Sequence, residues 1–373
     1  LVKGRGSRVW DDRGREYLDF IGGWAVTCLG HCHPVTIQSL AQQAQELIKC
    51  SNQFYTIPQI QLAQLLAENS CLDRAFFGNS GAEANEAAIK LARKYGKLHK
   101  GGAYEVITTL HSFHGRTLAM VAATGKPEYQ EPYQPVPAGF PNVEYDDIEA
   151  IKAATTDKTI AVMLEPVQGE GGVNVPAPDY LRQVRDWCDE KGLLLILDEV
   201  QTGVGRTGSL FAYQEAGVEP DIMTLAKGLG GGIPIGAVLA KEKAAVFGPG
   251  DHGSTFGGNP LSCAVAVATV RYVIENDLPG NARRVGNHLM SRLNELKAEF
   301  PFVSDVRGKG LLVALEFSRD ISRDVVYGCM EDGLLLNGVK PNALRFMPAL
   351  NITNAEVDEA VGILHKVLPR IQA

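Results

Sequence analysis

Leu193-Leu194-Leu195-Ile196-Leu197-Asp198-Glu199-Val200-Gln201 is the stretch that decides the fold. Five aliphatic residues in a row, bounded by Gly192 and Asp198, predict a strand buried on both faces of a parallel sheet. In open α/β sheets, ligands bind where such strands end, so Asp198 falls at a binding edge. A second apolar run, Ile222-Met223-Thr224-Leu225-Ala226, ends in Lys227 and leads into Gly228, Gly230, Gly231 and Gly232. Two strands thus deliver a carboxylate and an amine to one edge.

Working outward, strand and helix patterns alternate, the mark of a mostly parallel sheet covered by helices. Residues 74–77, 105–110, 159–164 and 236–240 read as further strands, and residues 83–97 and 180–190 as covering helices. Several strands end in polar, Gly-rich turns. Towards the N-terminus, Asp12-Arg13-Gly14-Arg15 reads as a hairpin turn, and helical periods follow over residues 34–49 and 60–68. Long helices are expected over residues 260–276 and 282–300, and beyond Pro301 the chain reads as a compact α+β unit with strands over residues 311–317, 334–336 and 344–347 and helices over residues 324–332 and 354–368. The expected division is an N-terminal segment, residues 1–33, belonging with a smaller C-terminal domain, residues 279–373, and a large domain over residues 34–278.

The 373 residues are 45% hydrophobic and 21% charged, the balance of an ordinary soluble globular protein. A net charge of −7 argues against a nucleic-acid partner, which needs a basic face. No stretch is apolar for long enough to span a bilayer, and Leu1 to Trp10 lack the apolar core of a signal peptide. The seven cysteines are odd in number and scattered, which argues against a disulfide framework. Cys28, Cys32 and His33 lack a second ligand pair at a zinc-site distance, so no metal centre is expected. A cytoplasmic location follows as the default.

An amine able to form a Schiff base, and an acid able to pair with a pyridinium nitrogen, are what pyridoxal phosphate (PLP) requires of a protein. Asp198 would keep the ring nitrogen protonated, since a nearby anion raises the pKa of such a group. Lys227 would carry the cofactor and then act as a base; the plain alternative is a lysine snorkelling at a strand end. Gln201 could donate to the cofactor's phenolic oxygen, or be a surface amide. Asn79-Ser80-Gly81-Ala82 stands at a strand-to-helix turn and reads either as a phosphate cradle or as an ordinary cap with Ser80 at N-cap. Phe113 could cover a ring and Arg116 clamp a carboxylate, or they could be a core aromatic and a surface arginine. Arg345 interrupts an apolar strand and calls for an anionic partner, for which Glu170 in its glycine-flanked loop is a candidate. Ser254-Thr255 offers two hydroxyls in a loop suited to a phosphate or carboxylate.

Ser80-Gly81-Ala82-Glu83-Ala84-Asn85-Glu86-Ala87, Phe113-His114-Gly115-Arg116-Thr117, Glu165-Pro166-Val167-Gln168-Gly169-Glu170-Gly171-Gly172, Leu197-Asp198-Glu199-Val200-Gln201-Thr202-Gly203 and Leu225-Ala226-Lys227-Gly228 together resemble the class III, or ornithine-type, aminotransferases. Gly205-Arg206-Thr207-Gly208 and Gly253-Ser254-Thr255-Phe256-Gly257-Gly258-Asn259-Pro260 extend the likeness over essentially the whole chain. The resemblance implies a fold-type I homodimer with shared active sites and PLP as cofactor. It implies Lys227 and Asp198 as catalytic residues. The implied cofactor set is Ser80, Gly81, Ala82, Phe113, Asp198, Glu199, Val200, Gln201 and Lys227, with Thr255 reaching across from the other subunit. Arg116, Ser254, Glu170 and Arg345 are the implied substrate residues, Glu170 masking Arg345 while an ω-amine is bound. The implied reaction passes the δ-amine of N-acetylornithine to 2-oxoglutarate. Ornithine, succinylornithine, 4-aminobutyrate or a lysine derivative as donor, or a semialdehyde aminomutase, would share these motifs.

Overall fold

A computed structural model describes residues 1–372. Its central sheet has seven strands in the order Arg74–Gly78, Gly236–Ala240, Ile222–Leu225, Leu194–Asp198, Thr159–Leu164, Glu105–Thr109 and Asn142–Val143. Gly236–Ala240 is antiparallel to both neighbours and every other pairing is parallel. Arg74–Gly78 therefore runs with the other parallel strands and ends at the same edge. Leu195 and Leu197 join one apolar cluster while Leu194 and Ile196 join another, so the unbroken aliphatic run feeds a core on each face of the sheet. Each such side chain contributes about 1.5–3 kcal/mol by leaving water. Tyr180–Lys191 covers one face through Leu181, Val184 and Cys188, and Gly81–His99 the other through Ala87, Ala88, Leu91 and Ala92.

Two of these boundaries have local causes. Gly81–His99 begins earlier than periodicity suggests because Ser80 Oγ accepts from Glu83 N–H at 3.2 Å, an N-cap. Tyr180–Lys191 stops at Gly192, which takes a left-handed φ of 63° and receives the chain into the next strand.

A second sheet is antiparallel throughout, in the order Val303–Lys309, Leu312–Phe317, Ala343–Phe346 and Asn337–Lys340. The sequence reading anticipates the inner two strands and misses the outer two. Ser304, Asp305, Arg307 and Lys309 in one outer strand, and Asn337, Gly338 and Lys340 in the other, hide the apolar alternation that marks a half-buried strand. The first residues form the expected hairpin, with Trp10 opposite Glu16, and Glu16–Asp19 then pairs in parallel with Leu334–Leu335. Among the described residues no helix is long and apolar enough to cross a membrane.

Candidate active site

Register places the ionisable groups. Leu164 pairs with Leu197 and Asp198 with Thr224, so Glu165 and Asp198 end adjacent strands and Lys227 follows three residues past Thr224. Asp198 is only 3% exposed. Its Oδ2 accepts from Asn85 Nδ2 at 2.8 Å and pairs with His114 Nδ1 at 2.7 Å, and its Oδ1 accepts from Val200 N–H at 3.0 Å. Burial alone would pull the His114 pKa down, but the hydrogen bond and charge of Asp198 outweigh it and raise it. Glu165, whose oxygens accept from Phe113 N–H and Gly169 N–H, is pushed up to about 7, chiefly by burial and further by Asp198, against the opposing pull of His114.

Lys227 has φ 42°, a left-handed backbone that costs a non-glycine residue about 1–2 kcal/mol. Strain of this kind collects at functional sites. The strain belongs to the turn Lys227–Leu229, which starts as soon as the strand Ile222–Leu225 has ended. Burial pulls the Lys227 pKa down and Arg345 adds to this, while Glu170, Asp198 and Glu165 oppose it. An amine so placed sheds its proton more readily, as Schiff-base chemistry needs.

A cavity of about 460 Å³ joins Lys227 and Asp198 to Ser80, Gly81, Ala82, Phe113, Arg116, Glu170, Val200 and Gln201. Gly81 and Ala82 open the helix, where backbone N–H groups lack intrahelical acceptors and favour an anion. A Cβ on Gly81 would meet Val200 Cγ1 at 2.8 Å, so glycine lets the helix start pack against the loop after Asp198. An amine, a buried carboxylate, an apolar wall and a helix N-terminus on one cavity fit a phosphorylated pyridine aldehyde. The Ser80 cap is present, and the helix start behind it borders the cavity.

Arg345 is fully buried, and its Nη2 lies 2.7 Å from Glu170 Oε1. Its Nη1 donates to Gln201 Oε1 at 3.0 Å, and Nε and Nη2 both donate to Asn337 Oδ1, at 3.1 and 2.8 Å. Burial pushes the Glu170 carboxyl up, but Arg345 and then Lys227 overcome this and hold it low. Arg116 is exposed, with its guanidinium 3.7 Å from the Tyr129 ring centroid and 5.5 Å from that of Phe113.

Other expected residues lie elsewhere. The Glu199 side chain does not line the cavity: its carboxylate accepts from Ala212 N–H at 2.7 Å and Tyr213 N–H at 2.9 Å, at the start of the helix Ala212–Ala216. Alternation along the extended chain sends Glu199 to the face opposite Asp198. Ser254 Oγ accepts from Asn79 Nδ2 at 3.0 Å and, like Thr255, does not line its own chain's cavity. Arg345 reaches the cavity only through Glu170 and Gln201.

Four polar residues escaped sequence reading as site residues: Asn85, His114, Glu165 and Asn337. Glu165 was within reach, because the run Thr159–Leu164 ends in it just as Leu194–Leu197 ends in Asp198. His114 stood inside the Phe113–Arg116 turn with nothing to show which way its ring faces. Asn85 follows Gly81 by one helical turn, which places it on the cavity side. Asn337 carried no signal, since its strand was not recognised.

The aminotransferase class-III family model matches residues 1–368. The acetylornithine aminotransferase of Caldanaerobacter subterraneus subsp. tengcongensis is 51% identical over 373 residues, all of this chain and 95% of that one. Among solved structures, ornithine aminotransferase from Toxoplasma gondii superposes with TM-score 0.96 at 38% identity, over 99% of this chain and 90% of that one. N-acetylornithine aminotransferase from Stenotrophomonas maltophilia does so with TM-score 0.87 at 38% identity, over 100% of this chain and 96% of that one. A strand-end carboxylate, a strained lysine in the turn after the next strand and a whole-chain match of this kind have one meaning: the chain belongs to the class-III aminotransferases, enzymes that work with PLP.

Proposed function

We propose that this enzyme moves the δ-amine of N-acetyl-L-ornithine to 2-oxoglutarate, giving N-acetyl-L-glutamate 5-semialdehyde and L-glutamate, a step of arginine biosynthesis in the cytoplasm. Bound at this site, PLP supplies an aldehyde that captures amines and a ring that stores the electron pair left when a C–H proton departs. Lys227 would hold the cofactor through its Nζ and, when released, would hold and move the substrate proton at that same atom. Asp198, fixed by Asn85, His114 and the Val200 N–H, keeps the ring nitrogen protonated. Gly81 and Ala82 receive the phosphate at the helix start, with Ser80 capping that helix and Thr255 of the partner subunit completing the cradle. Phe113 and Val200 would supply apolar walls, and Gln201, whose Oε1 accepts from Arg345 and whose Nε2 lies 3.5 Å from Glu170 Oε1, would turn its Nε2–H to the phenolic oxygen. Arg116, near Ser254, takes the α-carboxylate of N-acetylornithine. In the second half-reaction it takes the distal carboxylate of 2-oxoglutarate, and Arg345 takes the α-carboxylate.

The observation that carries this reading is the Arg345–Glu170 pair. A guanidinium at 0% exposure, neutralised by a glutamate that lines the Lys227 cavity, suits an enzyme that accepts a monocarboxylate amine in one half-reaction and a dicarboxylate in the other. The homodimer is supported by exposed apolar side chains, Phe54, Tyr55 and Ile57, beside one surface depression, as at protein interfaces. Pairing of Glu16–Asp19 with Leu334–Leu335 supports assigning residues 1–33 to the smaller domain, residues 279–373, beside the larger one, residues 34–278. The test is kcat/KM of the holoenzyme for N-acetylornithine, ornithine and 4-aminobutyrate, with 2-oxoglutarate as acceptor. N-acetylornithine should lead. Ornithine in first place would favour the second reading, an ornithine δ-transaminase, which the likeness to the Toxoplasma gondii enzyme motivates.

A further inference from the structure

We infer that Asn337 is a positioning residue that decides which edge of Arg345 meets a substrate carboxylate, and that its neutrality is part of that role. The inference rests on the reading of Arg345 as the α-carboxylate site of the dicarboxylate half-reaction.

A guanidinium offers a carboxylate two bidentate edges, the side edge of Nε and one Nη, and the end edge of the two Nη atoms. In Arg345 the side edge is capped by a single oxygen, Asn337 Oδ1, at 3.1 Å from Nε and 2.8 Å from Nη2. The end edge carries Glu170 on Nη2 and Gln201 on Nη1. A carboxylate that displaces Glu170 is therefore directed to the end edge, the one contiguous with the cavity through Glu170 and Gln201.

Backbone register sets this contact. Asn337 is the residue directly opposite Arg345 in the antiparallel pairing of Asn337–Lys340 with Ala343–Phe346. Asn337 does not belong to the sheet that carries Lys227, so it can hold the guanidinium still while Glu170, on the loop beyond Thr159–Leu164, leaves it.

Charge is the second half of the argument. Aspartate at position 337 would be isosteric and could accept the same two hydrogen bonds. It would also neutralise Arg345 permanently. The buried cation would then need no Glu170, and a substrate carboxylate would meet an ion pair already satisfied. An amide oxygen fixes the guanidinium and leaves its charge for the substrate.

The test uses holoenzyme carrying N337A, N337D or R345A, with two unreactive probes titrated calorimetrically. Glutarate stands in for 2-oxoglutarate, and N-acetylnorvaline for N-acetylornithine without its amine. N337A should weaken glutarate binding by about tenfold, the value of one hydrogen bond to a charged group. N337D should weaken it further, and both should bind N-acetylnorvaline as the wild type does. In single-turnover half-reactions, KM for 2-oxoglutarate should rise while the N-acetylornithine half-reaction is unchanged. Wild-type glutarate affinity in N337D, or equal loss for both probes, overturns the inference. If R345A also binds glutarate normally, the functional reading of Arg345 fails as well. Weak binding in R345A with normal binding in the Asn337 variants removes only the role given to Asn337.

Discussion

Replacing Glu170 with glutamine removes one charge and little else, and the structure sets what should follow. Glu170 Oε1 lies 2.7 Å from Nη2 of an arginine at 0% exposure, while Glu170 keeps 26% of its own side-chain surface. Deleting one partner of a buried pair costs about 3–5 kcal/mol when the remaining charge is left bare. Here the amide oxygen still accepts from Nη2, and Asn337 and Gln201 still hold the other N–H groups. The loss should be nearer about 1–1.5 kcal/mol, the difference between a charged and a neutral acceptor. Urea unfolding of the cofactor-free protein at fixed protein concentration measures it. The pH dependence carries a sign. Glu170 titrates lower when folded than unfolded, so the pair's stabilisation is complete above the unfolded carboxylate range and is lost as pH falls through the folded value. The gap between wild type and E170Q should close in acid. Function should move the other way. A donor that needs Arg345 for its α-carboxylate no longer has to break an ion pair, so kcat/KM for glutamate relative to N-acetylornithine should rise by about 5–12-fold, the equivalent of that same energy. An unchanged or smaller ratio, with the stability loss present, would refute Glu170 as the group that masks Arg345.

Three further outcomes are expected. Lys227→Ala should lose the imine absorbance band and nearly all turnover; retention of both would remove Lys227 from the chemistry. Glu165, raised to about 7 when folded against 4.5 unfolded, holds a proton in the native state that the unfolded chain releases. Its contribution to stability is full below the unfolded value and is lost as pH rises through about 7, by at most about 3 kcal/mol. E165Q should therefore show a flatter decline of unfolding free energy between about pH 4.5 and 7; the slope is the test, because an amide cannot accept from both Phe113 and Gly169, and equal slopes would refute it. Glu199→Ala should cost about 1–2 kcal/mol as a lost helix cap while leaving PLP affinity intact; weakened PLP binding would return Glu199 to the cofactor set.

What the sequence disclosed follows strand ends. Unbroken aliphatic runs announced strands buried on both faces, and polar residues closing them announced the binding edge, so Asp198 and Lys227 could be named before any coordinates. The demand of Arg345 for an anion was legible for a related reason: a guanidinium between Leu344 and Phe346 has no solvent to turn to. The Glu199 carboxylate leaves the cavity because a motif lists neighbours in sequence, while an extended chain sends alternate side chains to opposite faces. Asn337 was hidden because its strand is the outer one of its sheet, where solvent relaxes the need for apolar residues. Thr255 belongs to a different kind of gap, since a residue absent from its own chain's cavity acquires a role only through a second copy.

Three arginines join the small antiparallel sheet to loops of the large domain, and their partners differ in kind: Arg307 donates to the Gly172 and Val173 carbonyls, Arg206 also meets main-chain oxygens, and Arg345 meets a side-chain carboxylate. Arg206, 2% exposed, donates from Nη1 to the Leu311 and Pro348 carbonyls at 3.0 and 2.6 Å. Burial draws its pKa down to about 10, and backbone oxygens cannot rotate away from it. Arg345 makes the same kind of link, but its anionic partner is a side chain on a glycine-flanked loop. A carboxylate arriving in the cavity competes with Glu170 on equal chemical terms, charge for charge. It has no comparable way to displace a main-chain carbonyl. If Glu170 gave up Arg345 to a substrate carboxylate, the main-chain contacts of Arg206 and Arg307 would keep the small sheet attached.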